Sequence, residues 1–143
     1  IDGAHNPAAA TVLRAYVDEI SQPHLTPAIA ATLKQQGLTL PLPREVTWVM
    51  GMLTTKDHAD VFTALLRPGD RLHLVPVPDH SSMTPAALQE IALKVCPELA
   101  DCTPYDNLEQ GLTGAIADPT ALKILCGSLY LVGYFFRTQL PKR

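Results

Sequence analysis

Apolar, β-branched segments alternate along this sequence with helical patterns of ten or more residues. The segments Val46–Met50, Leu72–Val75 and Ala121–Cys126 are apolar almost throughout, which is typical of strands buried on both faces. Such strands in alternation with helices favour a mainly parallel sheet with helices on both sides. We therefore predict one α/β domain over residues 1–143, a Rossmann-like three-layer fold whose sheet has about five to six strands.

Helix-capping signals indicate where the helices begin. Asn6-Pro7, Thr26-Pro27 and Thr84-Pro85 each place a good N-cap residue before proline, which is favoured in the first helical position. Asp57 is expected to cap another helix, and Gly127-Ser128 to turn the last strand into the final helix. The predicted helices run from about Pro7 to Ile20, Pro27 to Gly37, Asp57 to Leu66, Pro85 to Val95, Leu108 to Ile116 and Leu129 to Thr138, and a short strand is expected around Ala100 to Thr103.

Composition excludes several classes of protein. Hydrophobic residues make up 47% and charged residues 17%, which argues against disorder, and no apolar run approaches the roughly 18 residues that cross a bilayer. The net charge is -3 and the basic residues are scattered, so neither nucleic acid nor a membrane is expected as a partner. Cys96, Cys102 and Cys126 lack C-x-x-C spacing, which indicates reduced thiols of a cytoplasmic protein and no metal site.

Polar side chains follow the predicted strand ends. Asp2, His5 and Asn6 lie in the first loop, Lys56 lies in the loop after Gly51, and Ser128 lies after the last strand. Right-handed crossovers place the predicted strand ends, at Ile1, Gly51, Val75 and Cys126, along one edge of the sheet, where open α/β sheets bind ligands. We therefore expect these side chains to meet at that edge.

The chemistry of this edge fits an anionic ligand. A helix that begins at Pro7 would aim free N–H groups and its dipole at the first loop, which favours a phosphate or carboxylate there. Lys56 could neutralise such an anion, Asp2 could accept from sugar hydroxyls, and Ser128 could donate to an anion. Each residue also has an ordinary interpretation, as a simple cap, a solvated surface pair or a turn.

The sequence lacks the common nucleotide-binding motifs and the serine-hydrolase motif. Neither the G-x-x-x-x-G-K-[ST] loop nor a G-x-G-x-x-G fingerprint occurs in the sequence, so if the protein handles ATP, another domain must hold the phosphates. Ser128, His5 and Asp2 supply the residue types of a hydrolase triad. However, the serine lacks the G-x-S-x-G elbow and the other two share one short loop, so a hydrolase is disfavoured.

Three segments together resemble one known family. DGAHNP at Asp2–Pro7, GMLTTKD at Gly51–Asp57 and CGSLYLVG at Cys126–Gly133 are similar in order and spacing to the folylpolyglutamate synthase and dihydrofolate synthase family, part of the Mur ligase superfamily. The resemblance covers essentially the whole chain and corresponds to the C-terminal domain of those enzymes. It implies an ATP-dependent ligase that joins L-glutamate to a folate or pteroate carboxylate through an acyl phosphate, releasing ADP and phosphate.

The resemblance also implies roles for individual residues. Asp2, His5 and Asn6 would bind the nucleotide, with Asp2 on its ribose, while His5, Ser128 and Lys56 would serve catalysis at the nucleotide and glutamate side of a cleft. The P-loop and the Mg²⁺ ligands would belong to an N-terminal ATPase domain that is absent from this chain. The present chain would then act as the lid of the active site and would have little turnover alone.

This sequence departs from the family pattern at two places, and two alternative functions are also considered. Family members often carry an arginine in the loop that is Pro76–Ser82 here, and Gly-Glu where this chain has Gly133-Tyr134. His80 is expected to be an exposed loop histidine and Tyr134 a packing residue. The alternatives are a Mur-type ligase domain that uses another amino acid and a nucleotide-binding or ligand-binding module without catalysis.

Overall fold

The computed structural model describes residues 4–20, 26–37, 45–54, 57–120 and 122–140. These ranges contain the following helices and strands in chain order: α1 Pro7–Ile20, α2 Pro27–Gln35, β1 Val46–Met50, α3 His58–Leu65, β2 Arg71–Leu74, α4 Pro85–Val95, β3 Asp101–Pro104, α5 Leu108–Ala117, β4 Leu122–Cys126 and α6 Leu129–Thr138. The predicted helices and the short strand near Ala100 are therefore all confirmed, with ends that differ by a few residues.

The strands form one parallel sheet in the order β3-β2-β1-β4. Met50 lies opposite both Leu74 and Cys126, so β1, β2 and β4 end level with one another at the carboxyl edge. The chain moves from β1 outward to β3 and then returns to place β4 on the other side of β1. The topological switch point, where open α/β sheets bind their ligands, therefore lies between β1 and β4.

The α/β class and the parallel sheet are confirmed, but the predicted number of strands is too high. The sheet has four strands within the described residues, whereas about five to six were expected. The additional strand was placed at Ile1, and that residue lies outside the part of the chain that the structure describes.

Two hydrophobic cores lie on the two faces of the sheet. Trp48 and Met50 of β1 point into the core formed with α1, α3 and α4, while Val49 between them packs into the core formed with α5 and α6. All five residues of β1 are buried, because strands in the middle of such a sheet are covered on both faces. This arrangement gives the predicted three layers.

Capping residues fix the starts of the helices largely as the sequence predicts. Asn6 Oδ1 accepts from the N–H of Ala9 at 2.8 Å, and Thr84 Oγ1 accepts in the same way at 3.2 Å. Asp57 precedes α3 as expected, but its side chain makes no capping hydrogen bond. Its ψ of 71° lies outside the extended conformation that an N-cap side chain needs to reach back to the helix.

A buried ion pair joins α1 to the amino end of the sheet. Asp70, directly before β2, is 1% exposed, and its Oδ2 accepts from Arg14 Nη1 at 2.8 Å and from Trp48 Nε1 at 3.0 Å. Its other oxygen accepts from the N–H of Val46 at 3.1 Å. We name Arg14, Trp48 and Asp70 the amino-end network. Because each charge has close partners, the desolvation penalty of this pair is largely offset.

No helix in the described ranges is both long and apolar enough to span a membrane.

Candidate functional site

The carboxyl edge of the sheet brings the N-terminal segment to the end of β4. Gly127 donates its N–H to the carbonyl oxygen of Ala4 at 2.8 Å, which fixes the residues before α1 beside the turn that leads into α6. The starts of α1 and α6 therefore lie near each other at the switch point. As expected from the sequence, the segments that contain His5 and Ser128 meet there.

Glycines allow the ends of β1 and β4 to approach closely. Gly127 has a φ of +102°, and a Cβ at this position would lie 2.7 Å from the carbonyl oxygen of Gly51. A Cβ on Gly51 would lie 2.6 Å from the carbonyl oxygen of Val75. Both positions exclude larger residues by contact, and Gly127 does so by conformation as well. The ends of β1 and β4 are therefore closely packed at the carboxyl edge.

A cavity of about 310 Å³ opens at this edge. Its volume is at the lower end of the range for small-molecule sites, roughly 300–1,000 Å³. The residues that line it come from the N-terminal segment, the loop after β1 and the turn into α6: His5, Leu53, Gly127, Ser128, Leu129 and Tyr130. The lining thus combines a partly exposed imidazole, a hydroxyl, and aliphatic and aromatic surface.

Ser128 is both the cap of α6 and part of the cavity wall. Only 2% of the residue is exposed, and its Oγ accepts from the N–H groups of Tyr130 at 3.2 Å and Leu131 at 3.4 Å. A serine oxygen has two lone pairs and one proton. Because both lone pairs serve the cap, the proton is the group with which Ser128 can donate to a ligand.

The loops that follow β1 and β2 are hydrogen-bonded to each other. Leu53 and Ser82 form an isolated antiparallel bridge, and the Thr54 N–H donates to the Ser81 carbonyl at 3.1 Å. His58 Nε2 lies 2.7 Å from the Leu53 carbonyl oxygen. A carbonyl can only accept, so Nε2 carries the proton and donates it. His58, for which no sequence motif suggests a role, thereby fixes the cavity-lining Leu53.

His80 contacts Tyr130, one of the residues that line the cavity. The imidazole is exposed, as predicted, but its ring stacks on the phenol of Tyr130 with centroids 3.8 Å apart and planes at 23°. Tyr134, predicted to be a packing residue, packs against the core on the α5 side and donates its hydroxyl to Glu109 at 3.2 Å. Nothing in the local sequence links His80 to Tyr130, because their contact forms only when the loop after β2 meets the start of α6 at the carboxyl edge.

The predicted site residues have different outcomes. The structure brings His5 and Ser128 together in the lining of the cavity. Asn6 lies beside them, and its side-chain oxygen caps α1. Asp2 and Lys56 lie outside the described residues. The assignment of these five residues to nucleotide binding and catalysis stays a prediction.

A second polar cluster is buried under α5. His73 Nε2 lies 2.6 Å from Asp118 Oδ2, and its Nδ1 lies 2.7 Å from the Tyr105 hydroxyl. His73, Asp101 and Asp118 could supply ligand atoms within 4.8 Å of one another. However, Asp118 also pairs with Arg71 at 3.6 Å, and both nitrogens of His73 already have protein partners. These protein partners of His73 explain its position without a metal ion.

All three cysteines lie in described parts of the chain as free thiols, in agreement with the sequence. Burial, reinforced by the nearby Asp101, raises the pKa of the Cys102 thiol to about 11. Burial is likewise the main cause that raises the pKa of Cys96. Since the thiolate is the reactive form, neither side chain is suited to be a nucleophile at neutral pH.

Comparison with known proteins places this geometry in a family. The family described as dihydrofolate synthetase, C-terminal domain, matches residues 1–138. A relative from Schizosaccharomyces pombe, named "Probable dihydrofolate synthetase", is 28% identical over 144 residues, which cover 95% of this chain and 30% of the relative.

Solved structures share the fold. Mycobacterium tuberculosis folylpolyglutamate synthase complexed with ADP aligns at a TM-score of 0.64 with 24% identity, over 100% of this chain and 30% of that one. Escherichia coli FolC in complex with ADP aligns at 0.62 with 23% identity, over 97% of this chain and 28% of that one. This chain therefore spans about 30% of the length of its relatives. Since the family match extends over residues 1–138, the chain belongs to the dihydrofolate synthetase C-terminal domain family.

Proposed function

We propose that this chain is the C-terminal domain of an ATP-dependent ligase that joins L-glutamate to a folate or pteroate carboxylate. The observation that carries the proposal is the cavity at the switch point, which His5 and Ser128 line between the starts of α1 and α6. The names of the relatives support the same reaction, and both solved structures described above are complexes with ADP.

The electrostatics of the cavity suit a nucleotide. The amino ends of α1 and α6 carry the partial positive charge of their helix dipoles, which favours an anion nearby. His5 and the hydroxyl of Ser128 add polar groups, while Leu53 and Leu129 supply apolar surface. Asp2 would accept from ribose hydroxyls, Lys56 would pair with an anionic group, and Asn6 would support the nucleotide from the cap of α1.

In this reaction the substrate carboxylate takes the γ-phosphoryl group of ATP, which releases ADP. The glutamate amine then attacks the acyl phosphate, an amide bond forms, and phosphate leaves. Such a step needs close orientation of the amine and exclusion of water. We assign this positioning role to the carboxyl edge, with His5, Ser128 and Lys56 in contact with the reacting groups.

The remaining machinery would lie in an N-terminal ATPase domain that also supplies the P-loop. Mg²⁺ prefers oxygen ligands, carboxylates above all. Among the described residues that line the cavity there is no carboxylate, so this lining alone does not fit the ion. We therefore assign the Mg²⁺ ligands to the partner domain. The free thiols of this chain fit a reducing compartment, and we propose a cytoplasmic location.

The test is an assay of the intact protein with ATP, L-glutamate and a pterin acceptor, taken in turn as dihydropteroate, pteroate and tetrahydrofolate. ADP release should require both glutamate and one of the acceptors. ADP release that is independent of every acceptor, or replacement of glutamate by another amino acid as the better substrate, would contradict the proposal.

Substitution of His5 tests its share in the reaction. His5→Ala should lower kcat/KM for ATP about 10- to 100-fold, the effect of losing one hydrogen bond to a charged group. His5→Gln retains a polar side chain of similar reach and should recover part of the loss. Unchanged kinetics in both variants would remove His5 from the site.

A further inference from the structure

We propose that His80 is a positioning residue that holds Tyr130 as a fixed wall of the cavity, against which a planar heteroaromatic ring of the ligand packs. This inference rests on the proposed function for the identity of the ligand. It adds a contact, from the loop between β2 and α4, to a site otherwise built from the N-terminal segment, the loop after β1 and the turn into α6.

The stack leaves part of Tyr130 available. His80 covers the phenol with nearly parallel rings, 3.8 Å between centroids, yet the tyrosine is 53% exposed and lines the cavity. Tyr130 lies in the first turn of α6, two residues after the Ser128 cap, and its N–H donates to Ser128 Oγ, so its backbone is fixed. An exposed tyrosine side chain would otherwise change rotamer readily, and the stack with His80 favours one orientation.

The loop that carries His80 is itself anchored. Ser81 and Ser82 pair with the loop after β1, and the Met83 N–H donates to the Met52 carbonyl at 3.0 Å. Within the loop, Ser82 Oγ accepts from the Val77 N–H at 3.2 Å. His80 is thus presented from a hydrogen-bonded turn, and it is held independently of α6.

The lining of the cavity suits a flat ring. Leu53, Leu129 and Tyr130 give it apolar and aromatic surface, and among the described lining residues His5 and Ser128 add an imidazole and a hydroxyl. Aromatic side chains bind heteroaromatic rings by stacking, because every such ring has a π face. Both nucleotide and acceptor carry such a ring, a purine in ATP and a pterin in the folate substrate, and the experiment separates them.

The experiment measures binding of ADP and of dihydropteroate to the intact protein by calorimetry, together with KM and kcat where turnover is found. His80→Ala should raise the Kd for one of these ligands about 3- to 10-fold, and Tyr130→Leu about 5- to 100-fold. His80→Phe should restore binding, since it keeps the stacked ring. Wherever turnover is measured, kcat should stay within about twofold in His80→Ala, because a positioning residue for binding acts on KM.

Tyr16→Leu is the matched control, because Tyr16 is similarly exposed, at 59%, and lies on α1 away from the cavity lining. If the variants raise the Kd for ADP alone, the purine packs against Tyr130. If they raise the Kd for dihydropteroate alone, the pterin packs there. Unchanged binding of both ligands in His80→Ala and Tyr130→Leu, or failure of His80→Phe to restore it, overturns the inference. A wild-type protein that binds ligands without ligating glutamate overturns the proposed function instead, and one that binds neither ligand overturns both.

Discussion

Polar groups at the two ends of the sheet have different surroundings. At the amino end, Asp70 is 1% exposed and its two oxygens accept from Arg14, Trp48 and backbone N–H groups. At the carboxyl edge, His5 and Ser128 line a cavity of about 310 Å³. Polar groups that find their partners within the fold stabilise it, whereas polar groups beside a cavity can bind a ligand.

This difference also separates the consequences of mutation. A buried charge that loses its partner is left in a medium of low dielectric, so the substitution lowers the free energy of unfolding. A residue at the carboxyl edge contributes less to the core, so its substitution should mainly weaken ligand binding.

Removal of the carboxylate from the amino-end network should have the largest effect. Asp70→Ala leaves the Arg14 charge buried and should lower the free energy of unfolding by about 3–5 kcal/mol. Urea denaturation, followed by the fluorescence of Trp48, the one tryptophan in this chain, measures this loss. Asp18→Ala is the control, because Asp18 pairs with Arg14 and Arg67 where its side chain is 32% exposed, and it should cost less than about 1 kcal/mol. Equal losses in the two variants would contradict the comparison.

A methyl group at Gly127 should have the next largest effect. Gly127→Ala combines an unfavourable positive φ with a Cβ 2.7 Å from the Gly51 carbonyl oxygen, and should destabilise by about 2–4 kcal/mol. Gly37→Ala shares the positive φ, at +78°, but its Cβ would meet nothing within 4 Å, so we expect a loss of about 1 kcal/mol. A loss in Gly127→Ala no greater than in the control would show that close packing does not shape this edge.

Loss of the Asn6 cap should separate stability from binding. Asn6→Ala and Asn107→Ala remove equivalent hydrogen bonds, of 2.8 and 2.9 Å, and each should cost about 1 kcal/mol in urea denaturation. Asn6 adjoins the cavity-lining His5, so only its variant should also weaken ADP binding to the intact protein, by a few-fold. If the two variants bind ADP equally well, Asn6 is a structural cap alone.

At neutral pH the smallest effect is that of Cys102, because its contribution appears only in alkali. The pKa of Cys102 is about 11 in the folded chain against an ordinary value of 9.0, so the unfolded chain loses this proton first as the pH rises. Stability should therefore be insensitive to this thiol below about pH 8 and should fall between about pH 9 and 11. Cys102→Ala should flatten that fall when denaturation is repeated across this range. An identical pH dependence in the two proteins would contradict the assigned pKa.

The sequence predicts local features of this fold well. Asn6, Thr26 and Thr84 cap helices as expected, because capping is decided within four residues. The apolar strands and their parallel arrangement also follow from alternation with helices. His5 and Ser128 could be located because they follow or adjoin strand ends in a fold whose binding edge is known in advance.

The contacts that the sequence does not predict connect distant parts of the chain. Arg14 and Asp70 are 56 residues apart, and neither lies in a motif that signals a buried pair. The stack of His80 on Tyr130 likewise appears only when two loops meet at one edge. Asp57 also failed as a cap, because its ψ of 71° lies outside the extended region, and the presence of an aspartate before the helix does not reveal that conformation.

The most direct test of the account is hydrogen exchange of the intact protein with and without ADP. If the carboxyl edge binds the nucleotide, ADP should slow exchange there, in residues 4–10, 51–54 and 127–132, and leave the amino end around Asp70 unchanged. Protection confined to other regions, or no protection at the carboxyl edge at an ADP concentration that saturates the protein, would contradict the assignment of this edge as the nucleotide site.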